Sequence, residues 1–586
     1  MLNRYYRDEL NFLRLQGREF AEAHPQLSRF LSERSADPDV ERLLEGFAFL
    51  TGRMQEKVED EFPELTHSLI SLLWPNYLRP VPSATIVRFD PKLHALNGKQ
   101  TIAQGTALLS EPVDGTACEF RTCRDVTVYP ITHQGVEAEH SQTASVIELK
   151  LGVHSDQPLH KLGLESLRLH MGGDNYTAQT LLLWLNHHLG AVEVEANGQS
   201  RRLPASAIAP VGFKETDALL PYPRNAYQGY RILQEYLCFP ETFLFFDINE
   251  LSRYLPREKA DSLTLRFRFT RTLPVDARVR DEHFQLYCAP AINLFDHDGE
   301  PVDLDGEQTE YRVRPNGRKP AHFEVFSVER VQGWLDGARG RGNTHARQYT
   351  PFESFQHQFQ QNEKPTGYFR VRVRNSARSD GFDHHIAFVR DDEEACLGMH
   401  EAISLKLKCT NRQLPERLTI GDITTPTESS PTFATFRNIT RPSLPLRPTL
   451  DGRLLWHLIS NLSLNYSSLL DRDALSAVLS AYDFKALIDR QAEQASRLRL
   501  QGILSIDTAP VDRMYRGRPV RGIRSVVTLD QNAFASEGDL YLFGTVLAQF
   551  FALYASINAF HELHVINHSN QERYQWAPLS GQQPLI

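Results

Sequence analysis

Leu540–Phe560 reads LYLFGTVLAQFFALYASINAF, twenty-one residues in a row without a charge. As a helix that length suffices to cross a bilayer, so its internal spacing decides between a membrane anchor and the most buried helix of a folded domain. Phe543, Leu547, Phe550, Tyr554 and Ile557 recur at intervals of 4-3-4-3, one side of an α-helix. Gly544, Ala548, Ala552 and Ser556 form a second stripe of small residues at every fourth position. Gln549 and Asn558 would stand unpaired in lipid. The nearest basic residues, Arg524 and Arg573, lie well away from both ends, where a spanning helix usually carries them. Asp539 is expected to cap the helix, and "HELHVIN" beyond it returns to strand chemistry. The stretch is expected to be a helix buried on most sides, its small stripe letting a neighbour approach closely. Direct membrane insertion is not expected.

The rest of the chain fits a folded, multidomain protein. Its 586 residues exceed what one hydrophobic core serves. With 41% hydrophobic and 23% charged residues it has the balance of a globular protein. The net charge is −9, from 64 basic and 73 acidic residues, and no long basic run offers a nucleic-acid surface. Phe (33) and Tyr (20) far outnumber Met (5), which favours β-structure. Six cysteines, at 118, 123, 238, 288, 396 and 409, include no C-x-x-C pair. They read as reduced, buried thiols of a cytoplasmic protein. The N-terminus is charged throughout and lacks the apolar region of a signal peptide.

Periodicity predicts an α+β multidomain fold: an N-terminal helical region (1–82), central β-rich, sandwich-like domains, and a C-terminal two-layer α/β domain (441–586). The β-rich part divides into 83–320, expected as two subdomains, and 321–440 with a Gly/Arg-rich loop. Leu2, Tyr6, Leu10, Leu13, Gly17 and Phe20 mark one face of the first helix. Asp37-Pro38 opens another whose stripe includes Val40, Leu43, Leu44, Phe47, Leu50, Met54 and Val58. After Ser83 the period becomes two, in "ATIVRFDP", "SVIELKLGV", "SLTLRFRFTR", "GYFRVRVRNS" and "AISLKLKCTN". A helix is expected at Thr177–Leu189, another in "FFDINELSRYL", and a hairpin turning at Arg516-Gly517-Arg518. Gly333–Tyr349 is expected to be a mobile loop and 424–433 a linker or exposed loop.

Motifs for chemistry are weak. His561-Glu562-Leu563-His564 places its second histidine at i+3, not the i+4 of a zinc helix, and as a strand it would turn the two rings to opposite faces. His187-His188 and His384-His385 show no third ligand nearby in sequence. The acidic "DHDGEPVDLDGE", from Asp296 to Glu307, has Pro301 where a calcium loop needs glycine, and its Asp-Gly pairs are turn residues. "NGKQT" lacks the earlier glycine of a phosphate loop, and no G-x-S-x-G occurs. No catalytic residue, metal ligand or cofactor is assigned, and the chain is expected not to be an enzyme.

"YYRDELNFLRLQGREFAEAHPQLSRFL", "DPDVERLLEGFAFLTGRMQEKVEDEFPELTHSLISLLWPNYLRPVPS", "CTNRQLP", "RPTLDGRLLWHLISNLSLNYSSL" and "FFALYASINAF" together resemble the TssF family (VasA/ImpG) of type VI secretion system baseplate subunits. The resemblance runs from residue 1 to about 565. It implies assembly: TssG as partner, with two TssF copies per TssG in a wedge, further contacts with TssK, TssE and the VgrG hub, and docking at the inner-membrane secretion complex. Tyr5, Tyr6, Leu10, Leu13, Phe20, Phe47 and Leu50 are the candidate partner interface; the alternative is that these residues cover the chain's own β-domain. Two copies in different positions would need hinges, for which Gly333–Gly342 and 424–433 are candidates. The rival classes are a β-sandwich enzyme or carbohydrate-binding module, and a peripheral membrane protein.

Overall fold

The computed structural model describes residues 75–222, 229–304, 308–335, 345–352, 367–376, 381–390, 401–448, 450, 471–515, 518–556 and 559–581, with 6, 10, 12–14, 42–51 and 70 near the N-terminus. The chain divides into two compact units, residues 1–73 with 449–463, and residues 74–448 with 464–586. In the smaller unit, residues 42–51 are helical.

The larger unit is an α+β assembly of sheets, with five helices among the described residues, in chain order: α1 (Asn175–His187), α2 (Gly229–Cys238), α3 (Arg472–Tyr482), α4 (Arg490–Gln501) and α5 (Glu537–Tyr554). Its first strand, Ala84–Pro91, lies between Cys288–Ile292 and Ala434–Asn438 in a six-stranded sheet that also holds Ala107–Val113, Thr116–Thr122 and Ile423–Thr425. Phe295–Asp298 and Val302–Leu304 pair with Glu401–Thr410 in an eight-stranded sheet. Strands from both sides of residue 320, the expected boundary, therefore share two sheets.

Alternation sets which side of each strand is dry. In Glu401–Thr410, Ile403, Leu405, Leu407 and Cys409 enter the core while Lys406 and Lys408 stay on the wetter face. In a five-stranded sheet, Ser145–Val153 and Ser262–Phe269 bury Ile147, Leu149, Leu151, Leu263, Leu265 and Phe267. Their outer faces fall into register as a charge ladder: Arg266 lies opposite both Glu148 and Glu193, with its guanidinium 2.5 Å from Glu148 and 3.2 Å from Glu195. Such half-exposed pairs contribute only about 0.2–1 kcal/mol each, so the buried stripe carries the stability.

The C-terminal part is a two-layer α/β arrangement. Ile503–Tyr515 and Arg518–Leu529 form the expected hairpin, and Arg518–Leu529 runs parallel to Phe560–Asn567. A parallel neighbour needs a crossover, and α5 supplies it. Ser536, not Asp539, caps this helix, its hydroxyl accepting from the Asp539 amide at 3.0 Å; the serine stands immediately before the first helical residue, which leaves Asp539 in the first turn. Phe543, Leu547 and Phe550 are fully buried, each contributing about 1.5–3 kcal/mol. Their surroundings are protein: α1, α2 and the Phe560–Asn567 strand, with Phe550 edge-on to Tyr230 and Phe543 against Phe534 and Tyr236. In the small stripe, a Cβ on Gly544 would lie 2.6 Å from the Trp576 ring. Tyr554 closes the helix, and Ile557 lies outside the described residues. Among the described residues no helix is long and apolar enough to cross a membrane.

Two local expectations change. "FFDINELSRYL" is a strand, Phe245–Ile248, followed by a 3-10 turn at Leu251–Arg253. It is the inner strand between Leu167–His170 and Ile208–Pro210, and four residues, Phe245 to Ile248, are too few to show a period. The 424–433 segment is the exposed loop of the two expected forms, and not a free linker. Ile423–Thr425 pairs with Ala107–Val113, and beyond it Thr427 Oγ1 donates to the Ala107 carbonyl at 3.0 Å while Ser429 Oγ accepts from the Ala107 amide at 3.2 Å. Hydroxyl side chains thus continue the ladder where the strand ends. Of the other hinge candidate, Gly333–Leu335 belongs to the strand Glu324–Leu335, and 336–344 lie outside the described residues.

Cys118, Cys123, Cys238, Cys288 and Cys409 are free and buried, and burial pushes the Cys118 thiol up to about 11. Burial acts oppositely on histidine: His170 is held down at about 3, His384 and His561 at about 4. These rings stay neutral in the fold but take a proton in the unfolded chain near pH 6.5. Between those values the unfolded state binds more protons, so stability is whole above pH 6.5 and is lost as the pH falls toward 4. The slope is up to about 1.4 kcal/mol per pH unit for each histidine. A His384→Gln variant should show a shallower fall in melting temperature from pH 6.5 to 4.5; a slope identical to the parent's would contradict this.

Candidate interaction surfaces and a histidine cluster

In the helix at 42–51, a residue advances about 100° around the axis. Leu43, Phe47 and Leu50 therefore share one face, and Leu44 and Ala48 lie roughly a quarter-turn away. Ala48 is fully buried and Leu44 half-buried, whereas Leu43, Phe47 and Leu50 are 73%, 60% and 60% exposed. One side of the helix is satisfied by the chain and the other presents large apolar groups to solvent. Of the remaining interface candidates, Leu10 is buried, Tyr6 and Leu13 are half-buried, and Tyr5 and Phe20 lie outside the described residues. Phe12, absent from the candidate set, is 55% exposed.

A second apolar surface has no counterpart in the sequence reading. Helix α4 buries none of its residues, and Leu487, Ile488 and Leu498 on it and just before it are exposed. The available signal was Asp489, whose carboxylate caps the helix by accepting from the Gln491 amide.

The histidine pairs divide. His561 and His564 do face opposite ways on the strand Phe560–Asn567: His561 is buried, 2.9 Å from Ser525 Oγ, and His564 is 2.8 Å from Glu562 Oε1. His384 and His385 are neighbours on the strand Phe382–Arg390, one buried and one half-buried. His187 and His188 end α1 and gain a third group that sequence spacing did not offer. Glu572, in the turn after the strand Phe560–Asn567, places Oε1 3.6 Å from His187 Nε2 and 3.6 Å from His188 Nε2. Among the described residues this is the one group of three with donor atoms close enough to share an ion. Arg271 holds the other carboxylate oxygen, Oε2, at 2.5 Å and lies over the Trp184 ring. Tyr574 stands edge-on to His187 and donates to Glu537 Oε1 at 2.6 Å. Burial lowers the His187 pKa and takes that of His188 down to about 4.

Two acids of the stretch after Phe295 are held in ion pairs, Asp296 with Arg121 at 2.9 Å and Asp298 with Lys406 at 2.6 Å; residues 305–307 lie outside the described set.

Comparison with known proteins gives one answer throughout. The family model "Type VI secretion system, TssF" matches residues 1–583. A Pseudomonas aeruginosa protein described as type VI secretion system component TssF1 is 32% identical, the alignment covering 99% of each chain. A chain in the cryo-electron microscopy structure of the TssK–TssF–TssG baseplate subcomplex superimposes with a TM-score of 0.76 at 30% identity, covering 93% of this chain and 99% of that one. A chain of a type VI secretion baseplate complex matches over 100% of both, with a TM-score of 0.63 and 28% identity.

Proposed function

The chain belongs to the TssF family of type VI secretion system baseplate components, and from that premise we propose that it is a non-catalytic subunit of the baseplate wedge, binding TssG through its N-terminal helices. The single observation that carries the assignment is full-length similarity: a solved baseplate chain is matched over 93% of this one at a TM-score of 0.76. The open apolar face of Leu43, Phe47 and Leu50 supplies the physical reason for a partner, because obligate interfaces resemble a core cut in half. In this reading two copies of the chain join one TssG, TssK and TssE bind the resulting wedge, and wedges surround the VgrG hub. The assembly works in the cytoplasm, docked at the inner-membrane secretion complex.

Co-expression of the full chain with its cognate TssG, followed by size-exclusion chromatography, tests the proposal. The expected result is poor recovery alone and a stable complex with TssG. Deleting residues 1–80 should abolish the complex; full recovery of TssG with the truncated chain would overturn the N-terminal assignment. A sandwich enzyme or carbohydrate module would behave instead as a dispersed monomer indifferent to TssG.

A further inference from the structure

We propose that His187, His188 and Glu572 form a structural binding site for a divalent transition-metal ion, zinc by preference, that ties the end of α1 to the turn following the strand Phe560–Asn567. Zinc–ligand bonds of about 2.0–2.1 Å at tetrahedral angles set neighbouring ligand atoms roughly 3.4 Å apart. Both imidazole Nε2 atoms lie 3.6 Å from the same carboxylate oxygen, close to two edges of such a tetrahedron, and all three donor groups fall within 4.8 Å of one another. At 3.6 Å both contacts are long for hydrogen bonds, and the buried His188 Nε2 has no hydrogen-bond partner. A buried nitrogen left without a partner beside a carboxylate calls for an explanation, and a shared cation supplies one.

The surroundings fit a cation. Arg271 engages Glu572 Oε2 and leaves Oε1 turned toward the rings, the kind of outer contact that fixes a ligating carboxylate. Its positive charge opposes a metal ion, but Glu537 adds a second carboxylate close enough to act on both histidines. The C-terminal end of α1, where His187 and His188 sit, carries the negative end of the helix dipole. His187 and Glu572 retain 28% and 22% side-chain exposure, which leaves an entry path and a fourth position for water. Two nitrogens and one oxygen suit zinc better than calcium or magnesium, which take oxygen ligands.

The test uses the full chain, with TssG where needed for solubility, stripped by chelator and then given zinc sulfate. The expected result is one zinc retained per chain after gel filtration, a higher melting temperature, and a tetrahedral visible spectrum on substitution with cobalt(II). Glu572→Gln and His188→Asn should each weaken zinc binding by at least about tenfold. Glu572→Gln keeps an amide oxygen for Arg271 and decides the matter if His188→Asn fails to fold. Retention of no zinc at micromolar metal, or equal retention by parent and Glu572→Gln, overturns the proposal.

Discussion

Replacing Phe47 and Leu50 together by glutamate is expected to weaken the complex with TssG by about a thousandfold or more, enough to lose TssG during purification. Large side chains at the centre of an interface commonly contribute about 2 kcal/mol or more each when truncated, and two such losses reach that factor. Glutamate adds the cost of placing a carboxylate in a dry contact. Both residues are 60% exposed, so the change leaves the fold of the chain alone intact; Ala48, buried on the adjoining side, would be the wrong place to probe. Val275→Glu, at a position 95% exposed in the larger unit, serves as the control for added charge. Unaltered recovery of TssG by the Phe47/Leu50 variant would remove this face from the interface.

Glu235→Ala should destabilise the larger unit by about 3–5 kcal/mol, the usual outcome of removing one partner from a buried ion pair. Glu235 and Arg231 sit one turn apart on α2, both essentially inaccessible, with Oε2 accepting from Nη1 at 2.9 Å. The other carboxylate oxygen accepts from the Leu219 and Leu220 amides at 2.8 and 3.1 Å. Arg231 Nη2 donates to the Phe213 and Lys214 carbonyls. The pair therefore fastens 213–220 to α2, and alanine leaves a buried guanidinium and two amides without their acceptor. Urea denaturation measures the loss. A combined Arg231→Leu/Glu235→Leu variant should be less damaged than Glu235→Ala, because no isolated charge remains. A Glu235→Ala transition within about 1 kcal/mol of the parent would show that water or a relaxed arginine takes the carboxylate's place.

This network also explains what the sequence concealed. Two strands were legible to the residue: "ATIVRFDP" and "SVIELKLGV" are strands with those ends, and in the second alternation reports which side meets water. The period vanishes when an element is enclosed. Helix α2 buries all ten of its residues, Arg231, Gln234 and Glu235 included, so its polar positions signal internal bonds, not a solvent face, and the sequence reading contains no helix there. Phe245–Ile248 misled because four residues are too few to show a period. The uncharged body of α5 after Asp539 was legible as buried because its large residues kept a helical spacing, while Ser536 was overlooked as its cap in favour of a stronger-looking aspartate. For the interaction surfaces, apolar spacing marked Phe47 and Leu50 but could not separate them from Ala48 or Leu10, since exposure depends on what the rest of the chain covers. The histidine cluster was invisible for want of Glu572, which only folding brings to the end of α1.

The position of Ala84–Pro91 between Cys288–Ile292 and Ala434–Asn438 has a consequence for synthesis. This strand leaves the ribosome long before either neighbour exists, and at cellular elongation rates the second arrives on the order of tens of seconds later. During that interval an apolar strand with two open edges is exposed to every other nascent chain. Production in the cell should thus depend on chaperones that shield the early segment, and split fragments ending before residue 434 should aggregate even where each contains complete sheets of its own.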